Sequence, residues 1–151
     1  MTEGFTLHLR AVPPTLMLGL LDTLDGLHRE VQVAALDDEG ADLVGQATHD
    51  ALVGDRDRVE GPRNAILDQA AKARDAGLDR VDITAHYGAA EVVPFLSARV
   101  GVQSADAAAQ RGELLASPMT AGQRDLWTWV GSEFEAQVAG RPPTPYAPAG
   151  G

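Results

Sequence analysis

The last third of the chain limits its fold most tightly. Thr120 and Gln123 form the pattern T-x-x-Q directly ahead of an apolar series at helical spacing, Leu126, Trp127, Val130, Phe134 and Val138. In such a box the threonine oxygen accepts a hydrogen bond from a first-turn amide, and the glutamine side chain reaches back to the amide of the cap residue. A helix therefore starts here. The stripe faces the core with Trp129 toward its margin, which predicts Trp127 more deeply buried than Trp129. Gly140 ends the helix. Arg141-Pro142-Pro143-Thr144-Pro145-Tyr146 cannot continue it, because proline fixes φ and has no amide to donate; the segment is expected to lie extended and to dock through Tyr146. Residues 147-151 are expected to be a flexible tail.

Two other stretches alternate with a period of two. Phe5, Leu7, Leu9 and Ala11 interleave with Thr6, His8 and Arg10, and Val81, Ile83, Ala85 and Tyr87 interleave with Asp82, Thr84 and His86; each predicts a half-buried strand. Pro13 and Pro14 end the first strand. Thr15 then caps a helix whose inner face is Met17, Leu20, Leu21, Leu24, Leu27, Val31, Ala34 and Ala35. Asp37 to Asp42 reads as a surface loop, and Thr48 or Asp50 begins a short helix through about Val59. Gly61-Pro62 opens another helix, with Ile66, Leu67, Ala70 and Ala73 on one face and Gly77 just past its end. A long helix runs from about Glu91 to Arg111, with Pro94 in its first turn because a mid-helix proline costs about 3 kcal/mol, and with Phe95, Leu96, Val100 and Val102 on its apolar side.

The elements add up to an α+β, mainly helical fold of four or five helices and two short strands. A chain of 151 residues with 44% apolar content can bury one sizeable core, so residues 1-146 are expected to be a single globular domain. Two strands leave two sheet edges. Either a second copy pairs with them in a homodimer, or a helix or the proline-rich tail covers them.

Charge and composition narrow the partners. A formal charge of −10 argues against nucleic acid, whose binding draws on a basic face. With no cysteine there is no disulfide framework and no thiolate metal site. Apolar runs fall short of the roughly 20 residues that span a bilayer, and MTEGFTLHLR lacks the basic and apolar regions of a signal peptide, so a cytoplasmic location without membrane contact is expected.

Chemical motifs are sparse. His28 falls beside Leu24, Leu27 and Val31, where a buried neutral histidine is the plainer reading and a phosphoacceptor within LHRE the other. His28 and Tyr87 are the candidates for lining a ligand pocket between the strands and the long helices. His8 and His86 share the polar side of their strands, but a metal site needs three or four ligands, so neither metal nor cofactor is expected. Asp22 with Asp25, Asp37 with Asp38, and Asp55 with Asp57 read as solvated carboxylates rather than a convergent acid pair. Arg56, Arg58 and Arg63 alternate with acids, as local ion pairs do. Walker, Gly-x-Gly-x-x-Gly and Gly-x-Ser-x-Gly patterns are absent, and no enzyme activity is expected.

The order FTLHLRAVPPTL, LLDTLDGLHREVQVAAL, VDITAHY and GELLASPMTAGQRDLWTWVGSEFEAQVAGRPPTPY resembles an actinobacterial signalling domain that accompanies GHKL-type ATPases and PP2C-type phosphatases of partner-switching sigma-factor control. The specific part is Gly112, Glu113, Leu114 and Leu115, then the Trp129 region, Glu133, Gln137, Gly140, Pro142, Pro143 and Pro145. The chain departs from the pattern at Tyr146, where tryptophan is expected, and at Ala108 and Ala109, where tyrosine and cysteine are expected. The resemblance implies a non-enzymatic regulatory or protein-interaction module, standing alone without an ATPase. Its protein partner would be a signalling kinase or another anti-sigma component, bound through Trp129, Pro142, Pro143, Pro145 and Tyr146. A small-ligand sensor is the alternative of a different class, and an enzyme the third.

Overall fold

The computed structural model describes residues 4–34 and 56–148, with side chains described outside 31–34, 56–60, 89–91 and 93–98. Within these bounds lie β1 (Phe5–Val12), α1 (Pro14–Ala34), α2 (Arg56–Asp75), β2 (Val81–Tyr87), α3 (Ala89–Gln110) and α4 (Ala121–Val138). The α+β, mainly helical fold is present, with four helices and one two-stranded sheet among the described residues. The expected loop at 37–42, the helix start at Thr48 or Asp50, and the candidates Asp37, Asp38 and Asp55 lie outside the described residues, as do Ala35 and the side chains of Val31, Ala34, Arg56, Asp57, Arg58, Phe95 and Leu96.

Local chemistry accounts for most helix ends. Thr120 Oγ1 accepts from the Gln123 amide at 3.1 Å, and Gln123 Oε1 accepts from the Thr120 amide at 3.1 Å, completing the capping box of α4. Three helices end alike. Gly77, Gly112 and Gly140 take φ of 74°, 75° and 84°, a left-handed turn that a side chain resists. At each of them the glycine amide and the one after it donate back to carbonyls of the last turn, as in Leu78 to Ala73 and Gly77 to Arg74.

Three boundaries differ from expectation. α1 begins at Pro14, and the Met17 amide donates to the Pro13 carbonyl at 3.0 Å. Pro14, whose missing amide would have been unpaired in a first turn, thus replaces Thr15 as the starting signal. α2 runs unbroken from Arg56 through Pro62, whose ring is buried, so Gly61-Pro62 is not a boundary. α3 starts at Ala89, two residues early, which moves Pro94 into its second turn. On α3 the buried side is Val102, Ala105, Ala108 and Ala109, while Val100, expected inside, is 61% exposed.

The strands are antiparallel, with Phe5 opposite Tyr87, His8 opposite Thr84 and Leu9 opposite Ile83. A bulge follows Leu9. Ala11 sits at φ 56°, its amide donates to Asp82 Oδ1 at 3.0 Å, and Val12, fully buried, takes the inward place expected for Ala11. Leu7, Leu9, Val12, Ile83, Ala85 and Tyr87 therefore face the helices, whereas Thr6, His8, Arg10, Asp82, Thr84 and His86 are exposed on the other side. α2 packs on β2, α4 packs on β1, and α1 touches the other three helices. Phe134 stands edge-on to Phe5 and Tyr87, each at 5.0 Å between ring centres, and joins α4 to both strands.

Thr120→Ala is expected to lower unfolding free energy by about 1 kcal/mol, and Gly112→Ala by about 1 kcal/mol through its positive φ. Chemical denaturation checks both, and unchanged midpoints would remove these capping roles.

Candidate functional site: a strap across the strand edge

The most structured polar constellation starts where α4 ends. Gly140 reverses the chain, and the prolines after it hold an extended segment that returns along β1. Glu133, 5% exposed, fastens this strap: its Oε1 accepts from the Thr144 amide and its Oε2 from Thr144 Oγ1, both at 2.8 Å. One turn along α4, the Gln137 side chain meets both the strap's anchor and the strand. Its Nε2 donates to Glu133 Oε1 at 3.3 Å and to the His8 carbonyl at 2.8 Å, while its Oε1 accepts from the His8 amide at 2.8 Å. The Tyr146 amide then donates to the Arg10 carbonyl at 2.9 Å, and Pro145 forms a parallel bridge with Arg10.

The outer edge of β2 is held in the same way from the opposite side. Gln69 of α2 accepts from the Thr84 amide at 3.0 Å and donates to the Thr84 carbonyl at 2.6 Å. His8 and Thr84 are partners in the sheet register, so the two glutamines flank it at one level. The amides and carbonyls of His8 and Thr84 and the carbonyl of Arg10, which a second copy would need, are already engaged, so a homodimer through strand pairing, one of the two arrangements expected, meets occupied groups at these positions.

The side chains expected to meet a partner are divided. Tyr146 is buried and its ring meets Trp129 edge-on at 5.2 Å; burial pushes its phenol up from the ordinary value. Trp127 and Trp129 are both half-buried with buried indole nitrogens, so the expected contrast between them is absent because the strap covers Trp129. Trp129 and Tyr146 therefore dock the strap to the body. Pro142 and Pro145 are exposed, and Pro143 is half-buried.

A second buried carboxylate, Asp106, pins the loop between α3 and α4. It accepts from the Met119 amide at 2.7 Å, from Arg124 Nε at 2.9 Å and from Gln110 Nε2 at 3.0 Å. Arg124 Nη2 also donates to the Met119 carbonyl at 2.7 Å, and the bond to Asp106 holds the guanidinium pKa up. In this loop Leu114 is buried and Leu115 is 93% exposed, its amide donating to Glu30 Oε1 at 3.3 Å. Both buried carboxylates are surrounded by donors that position backbone, an arrangement suited to holding loops rather than to proton transfer.

The other candidates are dispersed. His28 is 4% exposed, and Tyr87 stacks on Phe5 at 5.9 Å inside the core. A shallow open groove of about 290 Å³ lies against Gln69, Lys72, Ala73, Leu78, Val81 and Asp82, and neither His28 nor Tyr87 lines it. Asp25 pairs with Arg63 at 2.6 Å and Asp22 is exposed. His8 and His86 do share the exposed sheet face, at diagonal positions. Among the described residues no group of three or more His, Cys, Asp or Glu is placed to hold a metal ion, and no helix is long and apolar enough to cross a membrane. Residue reading alone passed over Gln69, Asp106 and Arg124, and Glu133 and Gln137 entered only through the resemblance. The available signal was a polar pair one turn apart, in line with Val130 and Phe134.

Glu133→Ala is expected to cost about 2 kcal/mol, because it removes the two hydrogen bonds that hold Thr144 and a third from Gln137. It should also return the Tyr146 phenol toward the usual value of about 10 in an absorbance titration. The raised pKa means that the unfolded chain loses this proton first, so the Tyr146 contribution is present below about pH 10 and is lost as pH climbs through the folded value. An unaltered titration in Glu133→Ala would detach Glu133 from strap docking. No family model, curated protein or solved structure matches the chain.

Proposed function

We propose that the chain is a non-enzymatic protein-interaction module of bacterial signalling, acting with the GHKL-type ATPases and PP2C-type phosphatases of partner switching in the cytoplasm. The observation that carries this reading is the strap itself: an extended segment anchored on a rigid helix and strand, with Arg141, Pro142 and Pro145 turned to solvent. A proline-rich segment already ordered in its bound shape loses little entropy when a partner docks on it, which is how such segments serve as recognition elements. Glu133, Gln137, Gly140 and Pro145, which carry the resemblance, are also residues that build the strap. The sensor alternative has weaker support, because Phe5, Tyr87 and Phe134 fill the space between the strands and α4.

Titration calorimetry of the purified chain against a purified GHKL-type anti-sigma ATPase and a PP2C-type phosphatase from the same bacterium tests the reading. One of the two is expected to bind saturably with micromolar affinity, and Arg141→Glu combined with Pro142→Ala is expected to weaken binding about tenfold, roughly 1.4 kcal/mol, with the circular dichroism spectrum unchanged. Absence of binding to both proteins, or binding indifferent to the double substitution, would contradict it.

A further inference from the structure

We propose that Thr144 is a phosphorylation site and that its modification releases the strap from β1. The inference stands on the strap geometry and is independent of which protein partner the chain serves.

Thr144 is exposed and lies in an extended segment between Pro143 and Pro145, where its amide is held by a side chain and not by a neighbouring strand. A protein kinase must draw its acceptor into an active site where a base meets the hydroxyl and the phosphoryl group passes in line, so an accessible segment outside regular structure is a suitable substrate. Thr6 and Thr84 lie in strands, Thr15, Thr23 and Thr128 lie in helices, and Thr120 spends its hydroxyl on the α4 cap. Among the described residues Ser117, exposed and also followed by a proline, is a competing acceptor. The difference between the two is what the hydroxyl touches. Thr144 Oγ1 donates to Glu133 Oε2 at 2.8 Å, whereas no hydrogen bond from Ser117 is present among the described contacts.

In the reaction the Thr144 oxygen forms a bond to the γ-phosphorus of ATP, the bond from that phosphorus to ADP breaks, and the hydroxyl proton leaves to the kinase base. Glu133 thereby loses the proton it was accepting. In exchange it faces a group of about −1.5 to −2 charges, placed against a carboxylate that is only 5% exposed. Among the described residues Glu133 accepts from the Thr144 amide, the Thr144 hydroxyl and the Gln137 side-chain amide, and none of these is a cation that would offset the added charge. Like-charge repulsion from Glu133 favours the undocked strap. Release frees the Arg10 carbonyl on the edge of β1 and uncovers the Trp129 ring that Tyr146 packs against.

The test uses the full chain, ATP and a proline-directed Ser/Thr kinase, with the modified residue mapped by mass spectrometry and amide hydrogen exchange measured on the product. Phosphate is expected on Thr144, with exchange at the Tyr146 amide accelerated at least tenfold and exchange at Leu7 and Ile83 unchanged. Phosphorylated Glu133→Gln is expected to recover most of the Tyr146 protection, because its side chain carries no charge and can donate to the phosphate. A chain left unmodified at Thr144, a phosphorylated chain with Tyr146 protection intact, or release that Glu133→Gln leaves unrelieved would each overturn the proposal.

Discussion

A sheet of two strands turns as much of its backbone hydrogen-bonding capacity outward as inward, and among the described residues it has no third strand to receive it. In this protein glutamine side chains stand in for that neighbour. A primary amide carries donors and an acceptor side by side, as a strand presents to the next one, and Gln137 and Gln69 each turn a donor and the acceptor to one residue, His8 and Thr84, while also donating to Glu133 and to the Ala65 carbonyl. Because those residues are register partners, the sheet is closed on both sides at the same level. Stray pairing between copies is thereby disfavoured at this level, and the bulge at Ala11 blunts β1 further along.

The position of α4 follows from this requirement. Its capping box at Thr120 and its glycine stop at Gly140 bound a helix of 18 residues, and along it Leu126, Val130 and Phe134 face the core while Glu133 and Gln137 rise one turn apart toward β1. Gln137 closes the edge, and Glu133 binds both Gln137 and the returning strap. Edge protection and tail docking are therefore one hydrogen-bonded assembly, and a disturbance at Thr144 reaches His8 through two side chains. The sheet face beyond the edge stays open and polar, while the loop fixed by Asp106 displays Leu115.

The sequence is legible where the signal is local. Thr120 with Gln123, and glycines just past helix ends, act within a few residues of themselves, and strand alternation reports burial directly; these features carried the fold class. The bulge at Ala11 is not visible in a pattern that assumes strict alternation, and it depends on an Asp82 carboxylate 71 positions away. Pro62 reads as a helix start because the burial that compensates its lost hydrogen bond is a tertiary effect. The edge clasps are hidden for the same reason. Gln69 and Gln137 look like any polar residue on a helix until the strand they serve is in place, and Trp129 looks marginal until the strap folds over it.

The central claim, that two glutamine amides complete the sheet, is tested most directly by residue-resolved hydrogen exchange at the His8 and Thr84 amides, which donate to Gln137 and Gln69 side chains. Protection at both sites is predicted in the unmodified protein. Gln137→Leu should speed exchange at His8 at least tenfold with little change at Thr84, and Gln69→Leu should do the reverse. Fast exchange at both amides in the unmodified protein, or protection that survives either substitution, would contradict the account.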